Sequence, residues 1–260
     1  MPGRYHFSGE VTAKEKAFYE ENGFVVYEGF LSPDEVARIT AEADAYQEMI
    51  RDGKIPAERI DKAIPVARDE SGRIAYYHRL NYFTEQSATA AGLAGSSAMD
   101  AVRTGLGSDR HQLLENSLNG VVWQLKTGES RSGYSRIRWH GDFPPGHELS
   151  PAFTAGVYLN DSNRFNGCLA VIPGSHRNPV GPVAPEPFYI EVGAGDLVCH
   201  HEWIYHGSEA MPRRDDRRAT LYFYYCAGRG AVADNAGSSR YEHISAADSL
   251  FVSAASEETS

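Results

Sequence analysis

F-T-A-G-V-Y-L-N, residues 153–160, is a short run of aromatic, β-branched and small residues, followed at once by a polar turn D-S-N. That composition suits a pleated strand, and the Asn and Asp that follow suit a chain reversal. It is one of a series. V-V-W-Q-L-K (121–126), Y-S-R-I-R-W-H (134–140), C-L-A-V-I-P (168–173), F-Y-I-E-V (188–192), D-L-V-C-H-H (196–201) and A-T-L-Y-F-Y-Y-C (219–226) have the same texture. Gly, Pro, Asn and Asp separate them. Seven or eight short strands with turn signals between them predict a sandwich or barrel. A jelly roll is the preferred form, because its two facing sheets enclose a pocket.

The first hundred residues read differently. K-E-K-A-F-Y-E-E-N-G-F (14–24) predicts a short helix stopped at Asn22-Gly23, and V-V-Y-E-G-F (25–30) a strand. Ser32, Pro33 and Glu35 then form a helix start with a capping box, and that helix is expected to reach about Met49. R-I-A-Y-Y-H-R-L-N-Y-F (73–83) is β-like and aromatic, and a short helix is expected around residues 97–104. The expectation is one domain over 1–260. It has a mixed, helical 1–118 part carrying a lid, a jelly-roll core at 119–230 and a small, polar, peripheral tail at 231–260.

Composition narrows the function. The chain has 260 residues, 42% of them apolar, enough for a core and unlike a disordered segment. No apolar run approaches the roughly 20 residues of a membrane helix, and the first residues contain no apolar signal segment. The net charge is −10 and no basic block is present, which argues against nucleic acid as a partner. Three cysteines, Cys168, Cys199 and Cys226, are odd in number and far apart, so they are expected to be small core residues in a reducing, cytoplasmic setting.

The chemistry centres on R-W-H-G-D-F, residues 138–143. His140 and Asp142 stand two apart, and on an extended chain such side chains point the same way. Alone the pair is weak evidence for a metal. A further imidazole, His206 in W-I-Y-H-G-S, falls on a later strand of the same β region. Two histidines and one carboxylate on one face of a metal leave three positions open, as in non-haem Fe(II) oxygenases. An arginine follows in D-D-R-R-A-T-L, and a guanidinium matches a carboxylate with two parallel donors. A rival set is local: His200 and Glu202 share one strand face, His201 takes the other, and His206 is near.

These residues resemble the phytanoyl-CoA dioxygenase family. H-G-D (140–142), N-G-C-L-A-V-I-P-G-S-H-R (166–177), G-D-L-V (195–198), H-G-S (206–208) and the opening F-Y-E-E-N-G-F-V-V-Y-E-G-F-L-S-P-D-E-V (18–36) carry the likeness. The resemblance implies a double-stranded β-helix, Fe(II), 2-oxoglutarate as co-substrate, and O2. It implies iron ligands His140, Asp142 and His206, with Arg217, eleven residues after the last histidine, on the co-substrate's far carboxylate. Arg218 adjoins it as a rival in register. Ser208 matches a hydroxyl that supports the same carboxylate, and Gln124 and Thr154 lie on strands expected to face the pocket. His176 in P-G-S-H reads as structural.

The implied reaction is oxidation, foremost hydroxylation, of a C–H bond in a small metabolite or natural-product intermediate, with release of succinate and CO2. The carboxylate at 142 disfavours halogenation, since halogenating relatives carry a small residue there. Tyr76, Tyr77, Arg79, Tyr82, Trp139 and Trp203 are the candidates for the substrate pocket. Two other readings stay open: a cupin-type metal enzyme without 2-oxoglutarate, and a non-enzymatic metal- or sugar-binding jelly roll.

Overall fold

Two capping boxes start the helices of the N-terminal arm. In the computed structural model, Thr12 and Glu15 cap α1 (Ala13–Asn22), and Ser32 and Glu35 cap α2 (Pro33–Arg51), each pair satisfying two backbone amides reciprocally. Gly23 ends α1 in the left-handed region. The structure describes residues 2–54, 66–68, 71–115, 121–128, 136–144, 146–178, 185–213 and 216–231. The tail expected to be peripheral lies outside them from residue 232 onward.

The strands form two main sheets and a small ribbon. β1 (Arg4–His6) and β2 (Phe24–Glu28) come from the N-terminal arm. β3 (Val66–Arg68) and β4 (Ile74–Tyr77) pair with each other, and β5 (Arg79–Leu80) and β6 (Gln112–Leu113) lie at the margin of the large sheet. Between β5 and β6 stand two short helices, α3 (Ala88–Ala94) and α4 (Ser97–Val102). The first of these was not expected from sequence; Ala- and Gly-rich stretches carry little periodic signal. The core strands are β7 (Val122–Thr127), β8 (Ile137–His140), β9 (Ala152–Tyr158), β10 (Leu169–Val171), β11 (Phe188–Ile190), β12 (Leu197–His201), β13 (His206–Ser208) and β14 (Arg217–Cys226). The large sheet runs β1-β2-β12-β9-β14-β7-β5, with β6 also on β14, and the small sheet runs β11-β10-β13-β8.

The sheets face each other. Phe24, Val26, Tyr158 and Val198 of the large sheet pack with Leu169, Val171 and Ile190 of the small one. The other face of the large sheet, with Ala155, Val157, Leu197, Ala219, Leu221 and Phe223, packs under Ile39, Ala43 and Tyr46 of α2. Together these make the jelly roll with flanking helices that the strand texture predicts. Both faces are covered, so the strands read as nearly continuous apolar runs rather than clean alternations. The three cysteines are buried as small core residues, and no disulfide joins them among the described residues. No helix among the described residues is long and apolar enough to cross a membrane.

Two sequence motifs clasp the N-terminal arm to the barrel. In P-G-S-H-R, His176 Nε2 donates to Glu20 O at 3.0 Å, Arg177 to Glu21 O at 2.9 Å, and the Gly174 amide to Asn22 O at 2.9 Å. These are the orphan carbonyls at the end of α1, so His176 holds a structural position. In G-D-L-V, the Gly195 amide donates to Tyr158 O and its carbonyl accepts from Leu31 N. Asp196 accepts from the amides of Gly29 and Gly193 and from Arg4. Gly195 has φ +91°, and a Cβ there would stand 2.5 Å from Leu31 O. Gly195→Ala is therefore expected to cost about 1–3 kcal/mol, read as a fall of several degrees in a reversible thermal melt.

Candidate functional site

β8 and β13 pair antiparallel with His140 opposite His206, so both imidazoles leave the small sheet on the same side. Each ring is oriented by its own backbone. His140 Nδ1 donates to Arg138 O at 2.7 Å, and His206 Nδ1 donates to Ile204 O at 2.9 Å. A carbonyl can only accept, so each Nδ1 carries the proton and each Nε2 presents its lone pair. Both Nε2 atoms face one oxygen of Asp142: Oδ1 is 3.7 Å from His140 and 3.6 Å from His206. The three candidate donors lie within 4.8 Å of one another, a spacing that can hold one metal ion.

The electrostatics suit that use. Burial alone would raise the Asp142 carboxyl, but His206, His200 and His140 outweigh it and hold the acid well below the usual carboxylate range. Burial is the largest influence on His206 and pushes its imidazole down, which keeps it neutral. An ionised carboxylate and a neutral imidazole are the protonation states a metal requires of its ligands. The other carboxylate oxygen, Oδ2, accepts from Thr154 Oγ1 at 2.9 Å and lies 3.2 Å from His200 Nε2. Thr154, expected on a strand facing the pocket, makes its side-chain contact with Asp142.

A second buried polar cluster, built around Arg218, lies between the sheets. Cross-strand pairing sets Gln124 opposite Thr220 and Lys126 opposite Arg218, all on the face of the large sheet that looks toward the small one. Lys126 Nζ donates to Ser208 Oγ at 2.8 Å, Gly167 O at 3.1 Å and Glu209 O at 2.5 Å, and Arg218 Nη1 donates to Gly167 O at 2.6 Å. Gly167, at φ +70°, makes room: a Cβ there would stand 2.7 Å from Lys126 Nζ. Burial, then the charge of Arg218, lowers the Lys126 ammonium to about 6. Arg218 Nε and Thr220 Oγ1 are buried without a hydrogen-bond partner among the described residues. Such orphans are costly, and these two sit on the same strand face.

Several placements correct the sequence expectations. Arg217 does not face the inter-sheet space. It is exposed on the opposite face, its guanidinium 5.5 Å from the Tyr76 ring, and the inward arginine is Arg218. Family spacing from His206 set that register one residue short, and in a strand one residue exchanges the faces. Tyr76 and Tyr77 do not cover the barrel mouth either. They pack on the helix side of the large sheet, Tyr76 hydroxyl to Thr127 Oγ1 at 3.0 Å and Tyr77 amide to Gln47 at 2.8 Å. Trp139 points away from the pocket, packing over Gly207 and Tyr205 on the outer side of the small sheet. Trp203 is 39% exposed beside His201. Tyr82 is buried in the turn after β5, with φ 53°, rare for a bulky residue.

The other candidates sort by face. Arg79 lies opposite Gln124 and shares its face, so it is the one member of the expected substrate group whose register brings it to the pocket. The local rival ligand set is not assembled. His200 faces inward to Asp142, and His201 faces outward to Tyr19 and His176. Glu202 is buried and accepts from Ser150 at 2.6 Å. Lys126, Thr220 and the Asp142 contact of His200 had no sequence motif to signal them, since the residues they meet stand 41 or more positions away.

The chain matches the family described as phytanoyl-CoA dioxygenase (PhyH) over residues 19–219. The chain belongs to that family. Ectoine dioxygenase of Nocardia farcinica is 27% identical over 69% of this chain and 56% of its own length. The rat peroxisomal phytanoyl-CoA dioxygenase is 27% identical over 82% of this chain and 68% of its own. This PhyH chain thus spans little more than half of the ectoine dioxygenases it matches. Among solved structures, EctD of S. alaskensis with 2-oxoglutarate and 5-hydroxyectoine superposes with TM-score 0.63 at 22% identity, over 86% of this chain and 78% of that one. The non-heme alpha ketoglutarate dependent epimerase SnoN superposes with TM-score 0.60 at 21% identity, over 81% of each. Both likenesses are of fold.

If the triad is the metal site, Asp142→Ala and His206→Ala each weaken Fe(II) binding by more than the roughly 10–100-fold that outer partners are worth. Anaerobic titration of the metal-free protein checks this.

Proposed function

We propose that this PhyH-family protein is an Fe(II)- and 2-oxoglutarate-dependent oxygenase that oxidises a C–H bond of a small molecule, foremost by hydroxylation. The observation that carries the reading is the pairing of a three-donor triad with a buried polar cluster in which Arg218 Nε and Thr220 Oγ1 have no hydrogen-bond partner among the described residues. The triad would hold iron through His140 Nε2, Asp142 Oδ1 and His206 Nε2. Three ligands on one side leave room for a chelating co-substrate and O2. When bound, the iron and 2-oxoglutarate supply the oxidising power with O2, releasing succinate and CO2.

The chain's own residues do the placing. His206 and Ser208 share one strand face two residues apart, a span of about 6.6 Å. That suits a five-carbon dicarboxylate with one end at the metal and the other at Ser208. Arg218 would give the far carboxylate its orphaned Nε–H, Thr220 its hydroxyl, and Lys126 would orient the Ser208 hydroxyl. Gln124, opposite Thr220, shares that face of the large sheet. Arg79, next in the same row, borders the space left for substrate. Asp142 occupies the position a halide ligand would need, which favours hydroxylation over halogenation.

A cupin-type enzyme without 2-oxoglutarate would need the triad and not the deep cation, and a non-enzymatic binder would need neither the orphaned donors nor O2. The test is O2-dependent succinate release with Fe(II) and varied 2-oxoglutarate. Arg218→Met is expected to raise the KM for 2-oxoglutarate by about 10–100-fold, the worth of one or two hydrogen bonds to a charged group. Arg217→Met is expected to stay near wild type. The reverse result would return the role to Arg217, and no succinate from wild type under any condition would remove the co-substrate from the reading.

A further inference from the structure

The two oxygens of Asp142 stand in different surroundings. Oδ1 faces the two ligand imidazoles at 3.6 and 3.7 Å, while Oδ2 meets Thr154 Oγ1 at 2.9 Å and His200 Nε2 at 3.2 Å. Thr154 and His200 lie directly opposite each other on β9 and β12. Their side chains therefore leave the large sheet together and reach across to the small-sheet side of the site. His200 is buried, and its ring centroid lies 4.6 Å from that of His206. This packing holds its Nε2 against the carboxylate.

We infer that His200 and Thr154 are positioning residues that keep Asp142 a one-oxygen ligand, and so preserve an open position on the metal. The inference rests on the proposed metal site. A six-coordinate metal with two imidazoles and a single carboxylate oxygen has three positions left, two for a chelating 2-oxo acid and one for O2. A carboxylate that turned to bind through both oxygens would consume one of these. With Oδ2 engaged by two donors, that turn requires breaking two charge-assisted hydrogen bonds. His200 is not needed as a ligand for this, since its Nε2 faces Oδ2, the oxygen turned from the other imidazoles. The same two donors set the angle at which Oδ1 meets the metal, the usual work of partners behind a ligand.

Four proteins distinguish this role: wild type, His200→Phe, His200→Gln and Thr154→Val. Phenylalanine keeps an aromatic ring beside His206 and removes the donor, glutamine restores an N–H at similar reach, and valine removes the Thr154 hydroxyl with almost no change of shape. Each metal-free protein is titrated anaerobically with Fe(II), then with 2-oxoglutarate, reading the Fe(II) dissociation constant and the visible charge-transfer absorption of the chelate. His200→Phe and Thr154→Val are each expected to weaken Fe(II) by about 10-fold or more and to alter the absorption. His200→Gln is expected to stay within about threefold of wild type. Unchanged affinity and absorption in His200→Phe overturn the inference. A His200→Gln as impaired as His200→Phe also overturns it, since the imidazole itself would then be required. Thr154→Val acts on the same oxygen without touching His200, so the idea stays testable if His200→Phe does not fold. Failure of wild type to bind Fe(II), or to develop the absorption with 2-oxoglutarate, instead removes the proposed function.

Discussion

The register of β14 between β7 and β9 is the constraint on which the site depends. β14 is ten residues long and is paired on both edges, with Arg218 opposite Lys126 and Tyr224 opposite Thr154. A slip of one residue would send Arg218 and Thr220 to the helix side and bring Ala219 and Leu221 into the pocket. Nothing local forbids the slip, because the strand is apolar or aromatic almost throughout. Packing forbids it. Ala219, Leu221, Phe223 and Tyr225 join the core beneath α2, and that core has no place for a guanidinium. Burying an unpaired charge there would cost far more than the strand's own preferences could return.

The same apolar demand shapes the polar interior. Among the buried polar side chains are Lys126, Arg218, Thr220, Ser208, His200, His206, Gln124 and Thr154, and these lie between the sheets. They are buried, where electrostatic contacts are strong and unsatisfied groups expensive. The triad end is largely satisfied: His140 and His206 each donate to a carbonyl and Asp142 meets two donors. At the deep end, Arg218 Nε and Thr220 Oγ1 have no hydrogen-bond partner among the described residues. A protein that leaves such groups unpaired in its core gives up stability there.

The N-terminal arm serves the site from a distance. P-G-S-H-R ends α1 on the β10 side of the barrel, and G-D-L-V anchors β1 and the β2–α2 connection to the start of β12. β12 in turn carries His200, and β2 is its other hydrogen-bonded neighbour. The motifs that make the family resemblance visible are thus partly structural. They fix the strand that supports Asp142 without touching a metal or a co-substrate.

Much of this was legible in the residues themselves. Capping boxes, the Asn22-Gly23 stop, the strand series and the H-G-D and H-G-S segments depend on local chemistry, and local chemistry is written along the chain. The helix at Ala88–Ala94 and the placements of Tyr76, Tyr77 and Trp139 were not legible, because each depends on which face of a sheet a neighbour covers. The sequence by itself determined that two histidines would stand on strands of a two-sheet barrel, an aspartate two residues after the first, with a basic pair downstream. Only the tertiary structure decided that Arg218 rather than Arg217 faces inward, and that His200 meets Asp142 from 58 residues away. A strand's alternation says which residues share a face, and only packing against the rest of the molecule says which face is inside.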